Sequence, residues 1–128
     1  TRTVCVGEPS AADAALLAAV AASQRAGLIA VAAGTTGGAV DEACRKSLGE
    51  AGFAAAFTHS TGHGVGLEVH EAPVLAAASE DVLPEGTVVT VEPGAYLVEH
   101  GGARIEDTVV VTASGCRSLT KTTKDYAL

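Results

Sequence analysis

The chain of 128 residues contains no methionine and no tryptophan, and only two tyrosines and two phenylalanines. Aromatics are 3% of the sequence against 48% apolar residues in all, so the core must be packed from Val, Leu, Ile and the abundant Ala. Basic residues are also scarce. Eight Lys and Arg against fifteen acids leave a net charge of −7. That excludes the basic face a phosphate backbone requires, and no nucleic-acid partner is expected. Uninterrupted hydrophobic runs are missing as well. The nearest approach to the ~20 apolar residues of a membrane span is residues 11–33, broken by Asp13, Gln24 and Arg25, and no membrane partner is expected. Cysteine is limited to Cys5, Cys44 and Cys116. An odd number at wide spacing suits neither a disulfide framework nor a zinc cluster. Reduced thiols and a cytoplasmic setting are the expectation, with no signal peptide. Without an initiator methionine, and with an opening from Thr1 to Val6 that reads as the middle of a strand, the chain is expected to be a piece of a longer protein. A mature chain trimmed of its initiator is the alternative. The length accommodates one domain and no more.

What is present divides into a helical half and a strand-rich half. After the strand expected at Thr1–Val6, Ser10 is a good N-cap with Asp13 three residues later. A helix is predicted from Ala11 to Ala32, with Leu16, Leu17, Val20, Leu28 and Val31 on one face and Gly34 ending it. A second is predicted from Gly38 to Ala51. Its buried stripe is Val40, Ala43, Cys44, Ser47, Leu48 and Ala51, its wet side is Asp41, Glu42, Arg45 and Lys46, and Gly52 stops it. Strands are predicted at Phe53–His59, Leu67–His70, Thr87–Glu92, Ala95–Val98 and Arg104–Thr112. Gly101-Gly102 and Ser114-Gly115 read as turns. Helices followed by strands indicate an α+β domain with an antiparallel sheet.

Three of the four histidines, His59, His63 and His70, fall within residues 59–73, together with Glu68, Glu71 and three glycines. Imidazole serves as metal ligand and as proton carrier. Glycine on both sides of His63 lets backbone or an ion approach closely, which makes His63 the first candidate ligand. A hydrogen-bonded histidine in a tight turn is its plain alternative. His70 reads as a second ligand, a proton donor or a carbonyl-polarising group, and equally as an edge-strand histidine. His59, four residues before His63, reads as a supporting residue or as purely structural. Glu92 ends an apolar strand, where an acid is costly to bury unless it is paired or metal-bound. Arg104 and Glu106 are two apart and share a strand face, as a functional pair or as a cross-strand ion pair. One His and two Glu on separate short strands form a donor set for a divalent cation. The glycine-rich run lacks the lysine of a phosphate loop. No Gly-x-Ser-x-Gly motif supports a serine hydrolase.

With these motifs together, the chain resembles the C-terminal part of a pita-bread metallopeptidase of the Xaa-Pro kind, the group of aminopeptidase P and prolidase. The matching pieces are Thr1-Arg2-Thr3, the run from His59 to Glu71, the run from Leu83 to Gly94 with Glu92 near its end, and Gly102 to Thr108 around Arg104, Glu106 and Asp107. They occur in the family's order over nearly the whole length. The resemblance implies the pita-bread (creatinase/aminopeptidase-like) fold, with residues 1–128 as the C-terminal portion of one catalytic domain. It implies two divalent metal ions, manganese foremost and cobalt or zinc as alternatives, held by two Asp, one His and two Glu. His63, Glu92 and Glu106 match the last three, with Glu106 bridging the ions. The resemblance also makes Glu92 a proton shuttle, His70 a substrate-facing histidine that steadies the carbonyl oxygen, and Arg104 a supporting residue, and His59 stands beside them as a catalytic candidate by its position. The implied substrate is a peptide with proline in second position, and the implied assembly is a homodimer.

The two Asp ligands have no counterpart here, since in the family the second stands just before the segment matching Thr1-Arg2-Thr3. The chain by itself is therefore expected to be inactive. Arg104-Ile105-Glu106-Asp107 favours Xaa-Pro peptidases over methionine aminopeptidases. A methionine aminopeptidase-like enzyme, a metal-free creatinase-like relative and a non-catalytic binding relative remain as alternatives.

Overall fold

The computed structural model describes residues 1–125. Two helices come first, α1 (Ala11–Ala30) and α2 (Gly37–Glu50), then a single 3-10 turn at Ala54–Ala56. Seven short strands follow: β1 (Gly62–Gly64), β2 (Glu71–Leu75), β3 (Val88–Val91), β4 (Gly94–Leu97), β5 (Gly101–Arg104), β6 (Asp107–Thr112) and β7 (Gly115–Ser118). Five of them form an antiparallel sheet in the order β2-β1-β3-β6-β7, and β4 and β5 form a separate two-stranded ribbon.

The expected capping box opens α1: the Ser10 hydroxyl accepts from the Asp13 amide, and the Asp13 carboxylate accepts from the Ser10 amide. The helix stops at Ala30, two residues before the predicted end, because Val31 is already extended while its amide still donates to the Gly27 carbonyl. Leu16, Leu17 and Val20 are buried as the periodicity requires. By length and a mean hydropathy of 1.2, α1 is long and apolar enough to cross a membrane. Here one face packs on α2 and the sheet, and its buried polar residue Gln24 donates to Asp107. Thr36 caps α2, which buries Val40, Cys44 and Leu48.

Asp41, assigned to the wet side of α2, is instead buried. It accepts from Arg45 one turn on, and from the amide and hydroxyl of Thr61. The helical period alone cannot register such a partner from the following segment. Several strand predictions also fail. Thr1–Val6 forms no strand; Thr3 instead uses its hydroxyl to accept from the Arg104 amide and donate to the Arg104 carbonyl. Phe53–His59 contains the 3-10 turn at Ala54–Ala56, with Ala56 and Phe57 buried and Phe53 packed against the core. Leu67–His70 is an exposed loop, and its apolar residues had imitated a strand. Arg104–Thr112 is broken at Ile105-Glu106, where the chain passes from the ribbon into the larger sheet. Gly101-Gly102 lies within β5, the turn falling just before it.

The helices touch most closely at Gly27. A methyl group there would lie 2.5 Å from Cys44 Sγ and 2.8 Å from Val91 Cγ1. Alanine for glycine in a helix is ordinarily worth about 1 kcal/mol of stability. Here overpacking, at about 1–3 kcal/mol, opposes that gain. Gly27→Ala is therefore expected to lower the urea midpoint, and adding Cys44→Ala to recover part of the loss. A raised midpoint for Gly27→Ala alone would contradict this packing.

Candidate functional site

The site forms where the two sheets meet. Val91 pairs with Asp107 in the large sheet, and Gly94 with Arg104 in the ribbon, so Glu92-Pro93 stands opposite Ile105-Glu106 at matching breaks. Main-chain groups at the break find partners elsewhere. The Glu92 amide donates to the Thr61 carbonyl at 2.7 Å, and the Glu106 amide to the Thr1 carbonyl at 3.1 Å. Both candidate carboxylates thus leave the sheet at the same place.

His63 reaches this place from β1, which lies between β2 and β3. Its flanking glycines are needed for close approach. A Cβ at Gly62 would meet the Thr90 carbonyl at 2.0 Å, and one at Gly64 the Ala72 carbonyl at 2.2 Å. The His63 amide donates to the Thr90 hydroxyl, which in turn donates to Glu92 Oε1 at 3.0 Å. The His63 ring stands 2.9 Å from the Gly64 carbonyl through Nδ1. A carbonyl only accepts, so Nδ1 carries a proton and Nε2 faces the cleft. Nε2 lies 3.1 Å from Glu92 Oε1. With the ring neutral, two lone pairs face each other, an arrangement that a proton or a cation relieves. Two donors bound at ~2.1 Å and near a right angle on one ion stand ~3 Å apart. The pair therefore fits adjacent positions around a divalent ion.

His63, His70, Glu92, Arg104 and Glu106 line one open cleft of about 540 Å³, together with Thr1, Thr90 and the 65–69 loop. The His70 ring is edge-on to that of His63, with centroids 4.3 Å apart. Arg104 Nη1 approaches Glu92 Oε2 at 3.5 Å, and its Nε is buried without a partner. Glu71 accepts from the Glu68 amide and packs under Gly66, so it steadies the loop. The hydroxyl of Thr1 donates to Glu106 Oε2. Burial raises the Glu106 carboxyl, and the hydrogen bond from the Thr1 hydroxyl opposes it. Among the described residues, no three His, Cys, Asp or Glu side chains gather tightly enough to hold one ion by themselves. The donor chemistry fits a divalent cation, with the His63–Glu92 pair in place and Glu106 directed to Thr1.

His59 does not line the cleft. It is wedged edge-on between Phe57 and Tyr96, its Nδ1 donates to the Ser60 carbonyl at 2.7 Å, and its Nε2 is buried without a partner. Tyr96, whose ring also lies under the Arg104 guanidinium at 5.6 Å, escaped the sequence reading. So did Thr90, although its place two residues before Glu92 on one strand was a usable signal.

The profile of metallopeptidase family M24 matches residues 1–113. The chain belongs to that family. It is 42% identical over 125 residues to the Xaa-Pro dipeptidase of Pyrococcus furiosus, covering 98% of this chain and 36% of that protein. Among solved structures, the Xaa-Pro dipeptidase from Bacillus anthracis superposes with a TM-score of 0.96 at 45% identity, over 99% of this chain and 36% of that one. The prolidase from Pyrococcus horikoshii does so at 0.94 and 41%, over 98% and 36%. This M24 chain thus has the α+β pita-bread fold and spans about a third of the length of these relatives.

Burial is the largest influence on the His59 ring and depresses its pKa, with the Arg104 charge adding to it and the Ser60 carbonyl opposing. The folded ring thus takes up a proton less readily than the ring of the unfolded chain, which is protonated below about pH 6.5. Proton uptake by the unfolded state lowers stability as pH falls through that value. His59→Phe is expected to flatten the difference in urea midpoint between about pH 7.5 and about pH 5.5. An unchanged difference would mean that the His59 ring is protonated inside the fold.

Proposed function

We propose that this chain supplies the C-terminal portion of the catalytic domain of a divalent-metal peptidase that cleaves the bond before proline, as an Xaa-Pro aminopeptidase or dipeptidase. The observation that carries the proposal is the His63 Nε2–Glu92 Oε1 pair, two donors in the arrangement of adjacent ligands, with Glu106 on the same cleft. Family membership and the Xaa-Pro dipeptidase names of the relatives support the same reaction.

In this proposal His63, Glu92 and Glu106 hold the ions, manganese foremost, with cobalt or zinc as alternatives. When bound, the ions supply Lewis-acid activation of water and of the peptide carbonyl. Glu92 moves a proton through its carboxylate, while Thr90 steadies Oε1 and Arg104 stands beside Oε2. His70, exposed at the mouth of the cleft, donates to the carbonyl oxygen as negative charge builds there. His59 acts from behind, as packing for the Tyr96 and Arg104 side of the site. A homodimer and a cytoplasmic setting belong to the same proposal, and the free thiols of Cys5, Cys44 and Cys116 support the second.

Three ligands cannot balance two divalent ions. The chain alone, given manganese and an Xaa-Pro peptide, is expected to show no turnover and to hold at most one weakly bound ion. A longer chain that includes the upstream Asp ligands is expected to hold two ions and to turn over. Equal turnover by both would make the missing carboxylates unnecessary and the ligand assignment wrong. In the longer chain, Glu92→Gln is expected to lower kcat by at least about 100-fold.

Preference for proline is tested separately. The longer chain is expected to cleave an Xaa-Pro peptide faster than a Met-Ala peptide. The reverse order would place it with methionine aminopeptidases, and a folded protein that binds no metal would place it with the creatinase-like or binding relatives.

A further inference from the structure

Outside the cleft, Arg2 uses its whole guanidinium. Nε donates to the Thr123 carbonyl at 2.9 Å. Nη1 donates to the carbonyls of Thr1 and Glu106. Nη2 donates to Asp107 Oδ1 at 2.8 Å and to the Thr122 carbonyl at 2.9 Å. The charge is largely buried, with 14% of the side chain exposed. We propose that Arg2 is a positioning residue for Glu106, a rigid fork that fixes the backbone on which the candidate bridging carboxylate is mounted. The proposal rests on the assignment of Glu106 as a metal ligand.

Glu106 needs such a support because it lies in the break between β5 and β6, where no strand ladder sets its position. Its amide donates to the Thr1 carbonyl, and that carbonyl also accepts from Arg2. Its own carbonyl accepts from Arg2, and so does the side chain of the next residue. The guanidinium thereby holds the peptide unit after Glu106 directly, and the one before it through the Thr1 carbonyl. The fork is itself anchored. Asp107 Oδ2 accepts from buried Gln24 on α1 at 3.1 Å and from Lys124 at 2.7 Å. Lysine can replace the charge of Arg2 but not a fork with five donors in one plane.

A purely structural role would lower stability and leave bound metal undisturbed. A positioning role changes how the carboxylate meets the ion. The test uses the longer, metal-binding chain with Arg2→Lys. The readouts are manganese affinity by calorimetry, the visible spectrum of the cobalt(II)-substituted protein, kcat and KM separately, and the melting temperature without metal. Groups that orient metal ligands typically account for about 10–100-fold in affinity or activity. Arg2→Lys is expected to weaken manganese binding and lower kcat by about that factor, to leave KM within about two-fold, and to shift the cobalt band. Leu48→Ala, in the buried core of α2 and outside the fork, is the control. It removes core packing without touching Glu106, Asp107 or Arg2, and is expected to lower the melting temperature while leaving affinity and spectrum unchanged.

If Arg2→Lys does not fold, Asp107→Asn carries the same readouts, since it weakens one arm of the fork while keeping the side-chain shape. Wild-type protein that takes up no manganese would overturn the metal assignment and the fork together. Wild-type protein that takes up two ions, beside an Arg2→Lys that changes only the melting temperature, would overturn the fork alone.

Discussion

A carboxylate with almost no access to water ties three separate segments of this molecule together. Only 3% of the Asp107 side chain is exposed, and an ionised group so placed costs several kcal/mol unless it is fully paired. Burial pushes its pKa up, while Lys124, Arg2 and Gln24 outweigh that and hold it below the ordinary aspartate range. Those three partners come from the C-terminal segment, the N-terminal segment and α1. Satisfying one charge thus brings together parts of the chain that are far apart in sequence. α1 meets the sheet through Gln24 as well as through its apolar face. The opening residues, which form no strand, lie across the break between the sheets because Arg2 is drawn to Asp107. Glu106 is the next residue back, so its place is a by-product of this neutralisation.

The parts of the fold legible in the sequence were those governed by period. Both helices were visible because Leu16, Leu17 and Val20, and then Val40, Cys44 and Leu48, recur on one face. The run of Val88 to Val91 was visible because β-branched residues fill a buried strand. What stayed hidden was set by contacts between segments. β1 is only Gly62, His63 and Gly64, a composition that reads as a turn. It is a strand because two neighbouring backbones come too close to allow a side chain at either glycine. Leu67 and Val69 misled in the opposite direction, since they are apolar yet lie on the surface.

The site divides in the same way. Residue type and order were enough to single out His63, His70, Glu92, Arg104 and Glu106, all of which line one cleft. Motif spacing carries that information because His63 and Arg104 lie on β1 and β5, and His70, Glu92 and Glu106 each lie within one or two residues of a strand end. The company they keep was not legible. Thr90 links His63 to Glu92 through one hydroxyl, and the His59 ring turns away from the cleft to lie between Phe57 and Tyr96. Such relations depend on which strands become neighbours, and a local pattern does not encode that.

The paired breaks in the strands have a mechanical consequence. Glu92 and Glu106 sit at the two pivots where the β4–β5 ribbon leaves the larger sheet, one on each strand. The carboxylates thus stand at the base of the ribbon, whose far end is the 98–100 turn. There His100 lies 3.0 Å from Asp13, in the first turn of α1. The ribbon is therefore tied at both ends, at its base by the pairing of Val91 with Asp107 and of Gly94 with Arg104, and at its tip by the contact of His100 with α1.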